Sequence, residues 1–211
     1  MEKKNIHNGY EYVDLGLPSG TLWATENFGN SSLYSFNNKE DLDSFASNHI
    51  GGAWKIPTKE QFKELIENTT SISVENFVNG ISGRLFTSNV NGKGVFFPFY
   101  GYTYDGKCHD DNARGNYWTN SHFYDWRFGN CTNIFKINND EVYLDYYYHA
   151  WGYSIRSVVK KSELFKDDAE EIAKRTKELS EDVITFCDKY SLTNENVVEI
   201  VKLLNKTEFM A

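Results

Sequence analysis

Two short stretches of this 211-residue chain concentrate aromatic rings beside Asp, Arg and His. The first is His122-Phe123-Tyr124-Asp125-Trp126-Arg127-Phe128, and the second is Asp145-Tyr146-Tyr147-Tyr148-His149-Ala150-Trp151. Rings with polar edges give large contact area at low entropy cost, and Asp, Arg and His add direction. The chemistry these types suit is recognition. The candidate ligand-binding residues are His122, Tyr124, Trp126, Arg127, Asp145, Tyr146, Tyr147, Tyr148, His149 and Trp151. They are expected in loops. The competing reading is core: period-2 alternation over Tyr146–Tyr148 would bury one or two of the three rings.

Catalytic constellations are harder to assemble. The five histidines, His7, His49, His109, His122 and His149, are scattered singly, and no pair has helical metal spacing. No Gly-x-Ser-x-Gly turn is present for a hydrolase nucleophile. Glycine-rich stretches such as "VNGKGV" suit hairpin turns better than phosphate cradles. Cys108, Cys131 and Cys187 match no zinc spacing and read as free thiols, with a Cys108–Cys131 bridge as the lesser alternative. No catalytic residue, cofactor or metal site is expected, so the chain reads as not an enzyme. Oxygen ligands do occur in His109-Asp110-Asp111-Asn112 and Asn138-Asn139-Asp140-Glu141. They read as polar turns, and any calcium there would be structural.

The elements that must carry these residues follow from composition and pattern. Aromatics make up 16% of the chain, with 14 Tyr, and so many hydroxyls cannot all be buried and satisfied. The net charge is -8 with no Lys/Arg cluster, which argues against nucleic acid. Neither a secretory signal nor a membrane-spanning run is visible, so cytoplasmic synthesis is expected and no membrane partner. Tyr10–Val13 and Thr21–Ala24 read as strands around the turn Gly16–Gly20. Lys39–Asn48 reads as one helix. A second follows Pro57, where Thr58 and Gln61 form a capping-box pattern before Phe62, Leu65 and Ile66. Short strands are expected at Gly83–Thr87, Gly94–Pro98, Gly115–Thr119, Asn133–Ile137, Glu141–Tyr143 and Tyr153–Val158. Turns at Asn91-Gly92 and Asp105-Gly106 punctuate them. Residues 6–158 form the expected body.

Beyond residue 160 the composition changes. Residues 162–211 hold 7 Lys/Arg against 12 Asp/Glu, so they carry -5 of the -8. Apolar residues at helical spacing predict two tail helices, from Ser162 and from about Thr193. The tail either packs on its own domain or docks a partner or second copy.

Four ordered blocks, "EYVDLGLPSGTLWAT", "GGAWKIPTKEQFKEL", "GNYWTNS" and "GYSIRSV", carry a resemblance. The chain resembles the Fibrobacter succinogenes major paralogous domain, widespread in Bacteroidetes. The resemblance covers roughly 150 residues and departs where that family often reads "WATCN", since Glu26 replaces the cysteine. It implies an α+β, C-type-lectin-like domain with short strands and two flanking helices, followed by the helical extension. In such a fold the two aromatic segments would meet on one face. The residues themselves add two readings: Trp23, Trp54 and Trp118, each beside Gly or small residues, read as core anchors, and Arg156, between Ile155 and Val158 on a terminal strand, reads as reaching a carboxylate or backbone carbonyls across the sheet. One related group comprises the variable proteins of diversity-generating retroelements, whose aromatic segments are diversified. That implies a phage or mobile-element receptor-binding protein, virion-associated, with a protein or glycan partner on a cell surface. Two alternatives stand beside it: an adhesin-type structural domain assembled by the tail, and a formylglycine-generating-enzyme-like catalyst.

Overall fold

The computed structural model describes residues 5–36, 42, 44–51, 53–127, 129–147 and 151–164, with a few isolated positions between 174 and 189. The chain divides into two compact units, Met1–Leu164 and Phe165–Ala211. The two expected tail helices lie almost wholly outside the described residues, as does Cys187.

The first unit is mostly β. Its strands are β1 Ile6–His7, β2 Tyr10–Val13, β3 Thr21–Ala24, β4 Tyr34–Ser35, β5 Thr69–Val78, β6 Ile81–Ser88 and β7 Gly94–Pro98. They continue with β8 Tyr102–Tyr104, β9 Lys107–His109, β10 Gly115–Asp125, β11 Gly129–Ile137, β12 Val142–Tyr147, β13 Gly152–Tyr153 and β14 Val158–Lys160. The described helices are α1 Lys59–Asn68, the single turn α2 Lys161–Leu164, and a π-helical turn at Ala46–Ile50. The strands form four sheets, ordered β1-β2-β3-β14, β10-β11-β12, β4-β13-β8-β9 and β5-β6-β7, with antiparallel pairing throughout.

This corrects the expected α+β, C-type-lectin-like arrangement with two flanking helices and a helical extension. Only α1 is a full helix among the described residues. The reason is local. Of the expected helix at Lys39–Asn48, Leu42, Ser44 and Phe45 are helical, but the chain then widens into the π-turn rather than continuing. After α1, Thr69 takes an extended conformation (φ -133°, ψ 155°), and the chain passes straight into the ten-residue strand β5 without a turn.

α1 begins where its sequence dictates. Thr58 Oγ1 accepts from Gln61 N–H at 3.2 Å, and Gln61 Oε1 accepts from Thr58 N–H at 2.8 Å. Two orphan amides of the first turn are thereby satisfied. Phe62 and Leu65 are buried, and the Phe62 ring stacks on Phe135 at 4.2 Å.

Two cores lie on opposite faces of the strands. Leu22, Trp54, Trp118, Ile134, Tyr153 and Val159 belong to one. Trp23, Phe62, Phe97, Tyr117, Phe135 and Val158 belong to the other. Chain neighbours such as Leu22/Trp23, Tyr117/Trp118 and Ile134/Phe135 therefore point to opposite cores, as period-2 geometry requires. Trp23, Trp54 and Trp118 are all buried. Trp54 Nε1 donates to His7 O at 3.1 Å, and Trp118 Nε1 donates to Tyr34 O at 2.7 Å. Burying a large apolar side chain contributes about 1.5–3 kcal/mol.

The ends of this unit are clasped. β14 pairs with β3, and Lys161 Nζ donates to Asp14 Oδ2 at 2.9 Å. That contact holds the Asp14 carboxyl below its usual range, against a smaller opposing effect of burial. A carboxylate with a lowered folded-state pKa contributes stability above its unfolded pKa of 3.8, and loses it as pH falls through the folded value. Asp14→Asn is therefore expected to lower Tm at neutral pH and to match the parent at about pH 2, as thermal unfolding at the two pH values will show.

No helix among the described residues is long and apolar enough to cross a membrane.

Candidate functional site

β10 is eleven residues long, and its burial changes abruptly along its length. Residues 115–119 are all buried; residues 120–125 are exposed or half-buried. β11 shows the same gradient in reverse, from Gly129 and Asn130 at the open end to Ile137 in the core. The sheet β10-β11-β12 is thus anchored between the two cores at one end and projects beyond them at the other. A register irregularity between Trp118 and His122 marks where β10 leaves the core.

His122–Arg127 and Tyr146 lie on this projecting part, whereas Tyr147 and Trp151 pack against the first core. The two aromatic segments were expected in loops, but His122–Asp125 end β10, Trp126 and Arg127 form its turn, and Asp145–Tyr147 end β12. Pairing explains the placement. His122 faces Thr132, which in turn faces Tyr147. Asn133, one residue on, faces Tyr146 on the opposite side of the sheet.

One side of the ribbon therefore carries Phe123 and Tyr146, whose rings meet edge-on at 5.3 Å. At the tip, Tyr124 is 73% exposed and Trp126 is 82% exposed. Arg127 lies over the Trp126 ring at 5.6 Å, and its Nε and NH2 reach Asp125 at 3.3 Å. The Asp125 carboxylate raises the Arg127 pKa and leaves the tip close to neutral.

The other side carries His122, Asp145 and Tyr147. His122 is half-buried between Thr132 Oγ1 at 2.8 Å and Asn120 Oδ1 at 3.0 Å. Asp145 Oδ2 accepts from Lys136 Nζ at 3.2 Å, and Lys136 sits 4.9 Å from the Tyr147 ring centroid. Tyr147 then meets Trp151 at 4.8 Å, Trp151 stacks on Tyr102 at 4.7 Å, and Tyr102 stacks on His109 at 5.2 Å. The result is a continuous ladder of four rings with a cation at one end. Such contacts add about 0.5–1.5 kcal/mol per pair beyond area burial.

The two segments do come together, but on two faces of one ribbon rather than one. None of their described side chains is fully buried. Tyr148, His149 and Phe128 lie outside the described residues. Tyr102, Tyr104 and His109 escaped the sequence reading of this site. Their signal was the pair Tyr102 and Tyr104 immediately before the Asp105-Gly106 turn, the alternation of a hairpin strand.

Gly152 sets the ladder beside β8. A Cβ there would strike Thr103 Oγ1 and approach Ser35 Oγ at 2.9 Å. Gly152→Val is expected to part β13 from β8, unstack Trp151 from Tyr102 and cost about 1–3 kcal/mol. Near-ultraviolet circular dichroism and Tm together check this.

The oxygen-rich turns are engaged with the protein itself. Asn138 O and Asn139 O accept from Arg84 NH1 at 2.9 and 3.1 Å, and Asn112 Oδ1 accepts from Ser82 N–H at 2.6 Å. Among the described residues no cluster of His, Cys, Asp and Glu is placed to hold a metal ion. Cys108 and Cys131 are free, and burial pushes both thiols up.

No protein-family model, curated protein or solved structure matches this chain.

Proposed function

We propose that this chain is a recognition module that holds a partner macromolecule through the projecting β10-β11-β12 ribbon, and that it binds rather than catalyses. The observation that carries this is the exposure of Tyr124 and Trp126, 73% and 82%, at the tip of an anchored hairpin. Large rings held in water by a rigid scaffold sacrifice hydrophobic burial unless a partner covers them. The same rings lose little entropy on binding.

The ribbon supplies a mixed surface. Phe123 and Tyr146 give an apolar flank, Arg127 and Asp125 a charged pair, and Tyr124 and Trp126 the anchors. Binding of the intact chain to a panel of cell surfaces tests the reading. Trp126 emission should become protected from acrylamide quenching in the bound state. If bound and free protein quench alike, the tip is not the contact.

The resemblance to retroelement variable proteins extends the proposal to a phage or mobile-element protein whose partner lies on a cell surface. Sister copies are then expected to differ at 122–128 and 145–151 while keeping Trp23, Trp54 and Trp118. Sequencing such loci checks this, and uniform aromatic segments would remove that extension alone.

A further inference from the structure

We propose that the outer edge of β12 captures an extended, basic peptide strand of the partner, an inference that rests on the recognition role of the ribbon. β12 is the last strand of its sheet, and among the described residues nothing pairs with its outer side. The direction of its backbone groups follows from its neighbour. Asn133 O accepts from Thr119 Oγ1 on β10 at 2.7 Å, so Asn133 turns its backbone toward β10. In an antiparallel ladder hydrogen-bonded and open pairs alternate. Tyr146, opposite Asn133, therefore turns its N–H and C=O outward, and Leu144 and Val142 do the same.

The edge bears a local guard. Asp145 Oδ1 accepts the Tyr146 N–H at 2.9 Å while Asp145 Oδ2 holds Lys136. Side-chain capping of an edge amide is one way a protein blunts unwanted strand pairing. A partner carbonyl that replaces Asp145 Oδ1 frees that oxygen for a cation.

Charge and flanking side chains define the partner. Residues 138–147 contain Asp140, Glu141 and Asp145 and no Lys or Arg, so the edge stays net acidic even with Lys136 of β11 paired to Asp145. A strand laid along this edge meets carboxylates, which favours lysine or arginine. Its alternate side chains meet Tyr143 and Tyr147 on one face, and Leu144 and Tyr146 on the other. Strand addition draws affinity from main-chain bonds and specificity from such alternating contacts.

The test uses the full chain and the synthetic heptapeptide Lys-Val-Lys-Tyr-Lys-Val-Lys. Amide exchange of Val142, Leu144 and Tyr146 is expected to slow by about tenfold or more with the peptide bound, since exchange then requires opening of the new ladder. A backbone N-methylated peptide is expected to bind about tenfold more weakly, because it loses main-chain bonds to the edge. Replacing its lysines by glutamate is expected to abolish binding. Leu144→Pro removes an outward N–H without breaking a bond to β11; because its side chain also packs against the second core the Tm falls, and the peptide is titrated well below that Tm, where its binding should be weakened. Absence of binding, or binding indifferent to N-methylation and to Leu144→Pro, overturns the inference. If Trp126→Ala abolishes binding to cells while Leu144→Pro does not, the ribbon reading survives and the strand-capture inference fails.

Discussion

Arg156→Ala is expected to destabilise the protein by about 2–4 kcal/mol and to lower Tm by roughly 10 °C. The side chain is 1% exposed. NH1 donates to Ala24 O at 2.9 Å and NH2 donates to Phe96 O at 2.7 Å, so one guanidinium ties β3 to β7. It also lies over the Phe97 ring at 4.7 Å. Truncation orphans two carbonyls, at about 1–3 kcal/mol each, and leaves a cavity. One effect opposes this. Burial strips the cation of water and pulls its pKa down to about 10, so removing the charge relieves a desolvation cost. The orphaned carbonyls and the cavity outweigh that relief, because the pairing is satisfied only by a long donor with a fork of N–H groups. Arg156→Lys should fall between, since one ammonium cannot span both carbonyls. Reversible thermal or urea unfolding measures all three proteins.

The same residue shows what the sequence makes legible. Arg156 sits between Ile155 and Val158, and a cross-sheet reach to a carboxylate or to carbonyls was readable from that position; which of the two it takes was not, and the structure gives carbonyls. The capping box at Thr58 and Gln61 was equally readable, because both partners lie within one turn. So were the tight turns at Asn91-Gly92 and Asp105-Gly106, where Gly92 and Gly106 have positive φ. Trp23, Trp54 and Trp118 declared themselves by their small neighbours.

The rest depends on distant pairing. β5 was missed because Thr69–Val78 places Ile72 on the solvent side and serines on the core side, which weakens the alternation that marks a strand. β10 was cut short at Thr119 because Asn120, Ser121 and His122 look like a loop. They extend only because β11 runs alongside. The ring ladder joins Tyr102 and His109 to Trp151, more than forty residues later. No local window contains both. The expected helical balance failed for a related reason: the turn at Ala46–Ile50 widens, and α1 runs directly into a strand.

Trp126→Ala is the second large effect, and it acts on binding alone. Its ring is exposed at the tip, where Arg127 lies over it. Stability should therefore stay within about 0.5 kcal/mol of the parent, as for surface substitutions generally. Anchor residues at the centre of an interface cost about 2 kcal/mol or more when truncated, which is roughly thirtyfold in affinity. Tyr146→Ala should cost less. Its ring is 39% exposed and already spends one edge on Phe123. His122 should matter least at the interface, since both ring nitrogens are occupied within the protein.

The recognition role of the ribbon is tested most directly by a side-by-side titration. The intact chain and its Trp126→Ala and Tyr124→Ala variants are titrated against one ligand-bearing cell surface, with Tm recorded for each. Binding weakened by about tenfold or more in both variants, at unchanged Tm, is the expected result. Equal affinity of all three proteins would contradict it.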